Sequence, residues 1–247
     1  MRHATAVSLL IALSLVVCSP TANEGAQEPR ILVFSKTAGF RHASIEPGRA
    51  ALTARAGEAG IAVDATEDAG VFTTGTLARY GVVVFLSTTG DVLDSGQQAA
   101  MEAWVRGGGG FVGIHSASDT EYDWAWYGEL VGAYFQSHPP GIHAATLHVA
   151  EAVHPATAAL PDPWMREDEW YDLRDLQPGL SVLLEIDEST YKSAAENPAP
   201  SPRPIAWYRD FDGGRTFYTA LGHTSESWAE AAFLDHVWGG VVWALGD

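Results

Sequence analysis

The residues most able to do chemistry cluster at Gly113-Ile114-His115-Ser116-Ala117-Ser118-Asp119. Phe111, Val112 and Ile114 form a short apolar run after the glycines Gly107 to Gly110, which reads as a buried strand stopping at a turn of small residues. Ligands of open α/β sheets bind beyond the carboxyl ends of the strands. An imidazole there can move protons near neutral pH, although a histidine at a strand end is also a common structural hydrogen-bonding group. Three other apolar segments end in the same way. The first leads to His42, the third to Thr88 and Thr89, and one ending at Leu221 leads to Gly222-His223-Thr224. If these strands run the same way in one sheet, two or three imidazoles converge on one rim. Glu169 and Asp119 are the carboxylates placed to join them.

Such a cluster supports two chemistries. Paired imidazoles and a carboxylate can act as acid and base at a sugar carbon or hydroxyl. The same groups, His42, His115, His223 and Glu169, are candidate ligands for a divalent ion such as zinc. No His-x-x-x-His or His-Glu-x-x-His spacing backs the metal reading. His138 beside Phe135-Gln136-Ser137 is a second-tier site candidate, and His154, also before a proline, suits a structural turn. His143, His148 and His236 read as surface or packing residues. Glu169 is expected in a strand with Trp170 and Tyr171, where it needs either a site or an arginine partner. Tyr171 reads first as core. Tyr122, Trp124, Trp126 and Tyr127 can wall a pocket or simply pack a helix.

The elements that would position these groups alternate. Strands are expected over Ile31 to Ser35, Ile61 to Ala65, Val82 to Leu86 and Phe111 to Ile114. Between them lie a helix from a Ser44 cap to about Ala59 and a second helix opened by the capping-box spacing Ser95 to Gln98. That alternation gives a parallel sheet with helices on its faces. The second half is less regular. A short helix is expected over Trp124 to Val131, strands over Ala144 to Ala150, Trp170 to Leu173 and Leu180 to Ile186, and a loop over Lys192 to Arg203. Pro204 to Tyr208 and Arg215 to Leu221 suit a hairpin around Asp212-Gly213-Gly214. A second box spacing, Ser227 to Glu230, opens a closing helix. No repeat divides the chain, so a single domain is expected over 30–247.

Residues 1–29 read differently. Arg2 precedes an apolar run from Ala4 to Val17, and Ser19-Pro20 breaks it, as in a secretory signal peptide, with a polar tether behind. Leu15-Val16-Val17-Cys18 approximates a lipobox, with Val17 where a smaller residue is usual, so Cys18 is a candidate lipid anchor and the protein is expected to be exported, periplasmic, membrane-anchored or secreted. The run is short for a membrane span. Cys18 is the only cysteine among 247 residues, so no internal disulfide exists and no thiol nucleophile lies in the folded part. With 31 acidic against 14 basic residues and a formal charge of −17, the surface would repel a nucleic-acid backbone. Nine tryptophans suit either a core or a sugar site, where ring faces meet C–H surfaces.

The chain resembles the ThuA-like, trehalose-utilisation family in Lys36-Thr37-Ala38-Gly39-Phe40-Arg41-His42, Gly110-Phe111-Val112-Gly113-Ile114-His115-Ser116-Ala117, Phe135-Gln136-Ser137-His138-Pro139, Asp168-Glu169-Trp170-Tyr171 and Leu221-Gly222-His223-Thr224. The resemblance runs from about Arg30 to Asp247. It implies a three-layer α/β/α, flavodoxin-like fold of the class I glutamine-amidotransferase type, with a mostly parallel sheet. It also implies a carbohydrate substrate, a disaccharide or its keto derivative. Relatives of that fold carry a nucleophilic cysteine within Gly-x-Cys-x-Gly. Here His115 stands at that position, so glutamine hydrolysis through a thioester is not available, and Ser116 is one residue off the elbow. The reading is an exported sugar enzyme of lyase, hydrolase or isomerase type using His115, His223, Glu169 and His42. Phe40, Ser116, Asp119, His138, Tyr171 and Thr224 are its substrate-binding candidates. The alternatives are a non-catalytic sugar-binding module and a metal-dependent hydrolase of another small substrate.

Overall fold

The computed structural model describes Met1 and residues 30–191 and 203–246. The expected leader, tether and Cys18 lie outside the described residues, as does the expected loop up to residue 202. In chain order the elements are β1 (Arg30–Phe34), α1 (Ile45–Glu58), β2 (Ala62–Thr66), α2 (Thr74–Leu77), β3 (Val82–Leu86), α3 (Ser95–Arg106), β4 (Gly110–Ile114) and α4 (Ala125–Val131). They continue as β5 (Tyr134–Ser137), β6 (His143–Val149), β7 (Trp164–Asp168), β8 (Asp172–Arg174), β9 (Ser181–Asp187), β10 (Arg203–Phe211), β11 (Gly214–Thr219) and α5 (Ala231–Leu245).

Nine strands form one sheet in the order β2-β1-β3-β4-β11-β10-β9-β6-β7, and β5 pairs with β8 in a separate ribbon. From β2 to β11 every pairing is parallel. From β11 to β7 every pairing is antiparallel. The parallel half explains the apolar runs: β3 and β4 are buried at every position because both faces are covered. Two adjacent glycines show how. A Cβ on Gly109 would strike the Trp104 ring of α3, whereas one on Gly110 would lie 2.1 Å from the Ala244 carbonyl oxygen of α5. Consecutive residues of a strand face opposite sides, so α3 and α5 cover opposite faces. The hairpin between β10 and β11 closes through Asp212 and Gly213, both at positive φ, the conformation a two-residue primed turn demands.

The structure corrects several expectations. The box that opens α3 is Asp94 with Gln97, not Ser95 with Gln98: each side chain meets the other's backbone N–H. Gln98 instead donates to Glu121 and to the Leu93 carbonyl. Ser44 begins α1 without a side-chain cap. The Ser227 to Glu230 box does not form, because the Ser227 hydroxyl is engaged by Arg166 and Thr224. Tyr134–Ser137 and Trp164–Asp168 are strands that the pattern did not reveal. Glu169, Trp170 and Tyr171 form the connection between β7 and β8 rather than a strand. Among the described residues no helix is long and apolar enough to cross a membrane.

Candidate active site

The four strands β1, β3, β4 and β11 are parallel neighbours, so their carboxyl ends share one edge, and the site is built on that edge. After β1 the chain is pinned to the end of β3. Ala38 N–H donates to the Thr89 carbonyl, Gly39 N–H to Thr89 Oγ1, and Thr89 Oγ1 donates to the Phe40 carbonyl. This fixes the turn that delivers His42, whose Nδ1 lies 3.3 Å from the Ser116 hydroxyl.

His115 follows β4 directly and is fully buried, at φ 51°. A left-handed conformation costs a residue with a side chain about 1–2 kcal/mol, and here it turns the imidazole off the strand end. The Ala220 carbonyl lies 2.8 Å from His115 Nδ1. A carbonyl only accepts, so Nδ1 carries the hydrogen and the neutral ring offers its Nε2 lone pair to the site. Around Nε2 stand His223 Nδ1 at 3.1 Å, Glu169 Oε2 at 3.5 Å and the Tyr171 hydroxyl at 3.0 Å. Tyr171 also stacks on the His115 ring.

Glu169 lies beyond β7 in the antiparallel half. Its Oε2 is 3.0 Å from His223 Nδ1, and its Oε1 is 3.1 Å from His138 Nδ1. The neighbouring Asp168 is buried and ties the two halves together. Its carboxylate accepts from the backbone N–H groups of Glu169, Gly222 and His223 and from Arg166. Glu169 and His223 are thereby held at one height above the sheet.

The electrostatics follow from this packing. Burial opposes ionisation of Glu169, but its imidazole neighbours, with His223 Nδ1 at 3.0 Å, outweigh it and hold the carboxyl well below its usual range. Burial would likewise lower His223, yet Glu169 outweighs it and raises the imidazole. His42 has no such partner. Burial first, then the neighbouring His115 and His223, push it down to about 3, so it is neutral. Burial raises Asp119 despite its 2.6 Å hydrogen bond from Tyr122, and burial keeps Tyr171 a phenol.

A pocket of about 320 Å³ opens onto this cluster, lined by Phe40, His42, Asp119, Phe135, His138, Glu169, Tyr171 and His223. The expected catalytic set is thus brought together: donor atoms of His42, His115, Glu169 and His223 all lie within 4.8 Å of one another, a set able to hold a metal ion. Phe40, Asp119, His138 and Tyr171 line the pocket as expected, and Ser116 lies behind His42. Thr224 does not. It faces a separate depression with Ile142, Glu167 and Glu226, because its hydroxyl turns to Ser227. The aromatic wall is also corrected. Tyr127 is buried with its hydroxyl on the Ala117 carbonyl, Trp124 stacks on it in the core, and only Tyr122 reaches the rim, through Asp119. Thr88 is buried against Thr120. His236 is fully buried and His154 is buried against Tyr208, as structural residues. Phe135 and Asp168 stand in the sequence motifs without an assigned role, and nothing in the sequence pointed to the Ala220 carbonyl. A second acid beside Glu169 was the one available signal for Asp168.

The family model described as trehalose utilisation matches residues 30–244, nearly the whole described chain. The chain belongs to the ThuA family. Among solved structures, a ThuA-like protein from Bacteroides uniformis superposes with a TM-score of 0.75 at 20% identity, covering 92% of this chain and 95% of that one. One from Parabacteroides merdae gives 0.69 at 20% identity, covering 88% and 90%. A β-galactosidase from Bacillus circulans contains a region of the same fold, with a TM-score of 0.54 at 15% identity over 89% of this chain and 31% of the enzyme. At these identities the likeness is one of fold. No curated protein matches the chain. In this ThuA-family chain the turn after the central strand is left-handed at His115.

Proposed function

We propose that this ThuA-family protein is an enzyme of carbohydrate catabolism that moves protons on a keto sugar or disaccharide bound above His42, His115, Glu169 and His223. One observation carries the reading: donor atoms of His42, His115, Glu169 and His223 lie within 4.8 Å of one another where a pocket opens onto them. Within that cluster Glu169 favours the charged form of His223, and His42 is neutral beside it. A ketone makes the neighbouring C–H acidic. His223, positively charged beside the carbonyl oxygen, would take up the negative charge that develops there, and Glu169 or neutral His42 would accept the proton. Elimination, hydration and isomerisation share that step and need no covalent intermediate. Phe40, Phe135 and Tyr171 support a sugar, since ring faces pack on its C–H surfaces. The pocket, at about 320 Å³, lies at the small end of ligand sites. On this reading the leader within residues 1–29 takes the protein out of the cytoplasm, either secreted or anchored by lipid on Cys18, and cell fractionation distinguishes the two.

The test is incubation of the purified protein with disaccharides and their keto derivatives, with products identified by mass spectrometry. Turnover of a keto sugar is expected, reduced by ~100-fold or more in Glu169→Gln and His115→Ala. Sugar-dependent thermal stabilisation without any product would overturn catalysis and leave a binding module.

A further inference from the structure

Three donor atoms of the site form a nearly equilateral triangle. His115 Nε2 to His223 Nδ1 is 3.1 Å, His223 Nδ1 to Glu169 Oε2 is 3.0 Å, and His115 Nε2 to Glu169 Oε2 is 3.5 Å. Ligands about 2.0–2.1 Å from a tetrahedral ion stand about 3.3 Å apart, so the triangle has the dimensions of one face of a zinc site. The groups behind it are those a metal site needs. The Ala220 carbonyl takes the hydrogen of His115 Nδ1, which fixes the tautomer with its Nε2 lone pair facing the triangle. His138 takes the other oxygen of Glu169 and turns Oε2 toward the two imidazoles. Asp168 fixes the backbone of both Glu169 and His223. Outer partners of this kind orient metal ligands and set their basicity.

We infer that His115 Nε2, His223 Nδ1 and Glu169 Oε2 form a three-ligand site for a divalent transition ion of the zinc class, with its fourth position open to the pocket. His42 is in reach of the three donors but belongs to a looser grouping, so it stands beside the ion as a base rather than closing the site. Two imidazoles and a carboxylate with one position left free is a catalytic arrangement, whereas structural zinc sites are closed by four protein ligands. The Tyr171 hydroxyl lies 3.0 Å from His115 Nε2 and, with that nitrogen on the ion, would turn to the bound molecule. The inference rests on the proposed function and deepens it: the ion takes the place of a protonated His223 as the positive charge at the sugar carbonyl, and His42, which is not a ligand, is left to accept the proton.

The experiment uses the untagged full chain, stripped with a chelator and titrated with Zn²⁺ and Co²⁺. Stoichiometric binding is expected, with the intense visible bands of four-coordinate Co²⁺. Glu169→Gln and His115→Ala should each weaken binding ~100-fold or more, and His138→Gln about 10-fold. His148→Ala, at an exposed histidine, should bind as the parent does. Thermal melts without metal confirm that each variant folds, and Glu169→Gln, close in size to the parent, serves if His115→Ala does not. Failure of both ions to bind stoichiometrically, or unchanged affinity in Glu169→Gln, overturns the site. Turnover of a keto sugar by protein that binds neither ion overturns the metal centre and leaves the proposed function standing. Stoichiometric binding lost in Glu169→Gln, without turnover of any keto sugar, does the reverse.

Discussion

Glu169 meets His223 side chain to side chain at 3.0 Å because Asp168, one residue earlier, holds the backbone N–H of the same histidine at 3.1 Å. Adjacent acids thus bind one residue twice, and only the second faces the pocket. Asp168 is fully buried and also meets Arg166. Removing one partner of a buried ion pair costs about 3–5 kcal/mol, so Asp168→Ala should lose that much in urea unfolding. Asp168→Asn should lose less stability, yet still lose turnover, because its amide would face the Gly222 N–H or Arg166.

Stability should fall on mild acidification, in part through His236. This ring is fully buried, its Nδ1 donating to the Ala156 carbonyl and its Nε2 accepting from the Thr219 hydroxyl. Burial pushes it down to about 4. Between the ordinary histidine value near 6.5 and that point the unfolded chain takes up a proton that the folded chain refuses. The contribution is therefore complete above about pH 6.5 and is lost as pH falls toward 4, by about 3 kcal/mol in total. Unfolding free energies of the parent and His236→Gln across this window should converge at the acid end.

Gly110→Ala should destabilise strongly without touching the pocket. Its Cβ would stand 2.1 Å from the Ala244 carbonyl oxygen, which is backbone of α5 and cannot swing aside. Overpacking of this kind costs about 1–3 kcal/mol or more, read as a lower denaturation midpoint with an unchanged slope.

Phe40 is 67% exposed at the pocket mouth. Truncating it should leave stability within about 0.5 kcal/mol. Phe40→Ala should instead raise KM for the sugar while kcat changes little, which steady-state kinetics separates.

The sequence made the parallel half legible because strands buried on both faces are written as unbroken apolar runs. β1 and β3 stand where Ile31 to Ser35 and Val82 to Leu86 suggested. The antiparallel half was harder. β7, Trp164-Met165-Arg166-Glu167-Asp168, alternates buried and exposed positions, but its buried set includes an arginine and an aspartate, which pair with each other and with Ser227, Gly222 and His223 far along the chain. The same cause hid Asp168. His42, His115 and His223 were readable as strand ends, and Glu169 as an acid among aromatics. Thr224 was misplaced because nothing local shows that its hydroxyl turns to Ser227. The Tyr122 to Tyr127 aromatics were ambiguous because packing a helix and walling a cavity use the same residues.

The pocket draws His42 and His115 from the first half of the polypeptide and Glu169 and His223 from the second. Nothing that stops short of residue 223 can therefore assemble it. During synthesis the early strands wait for β11 and for the α5 cover, and a fragment ending before residue 223 should stay silent.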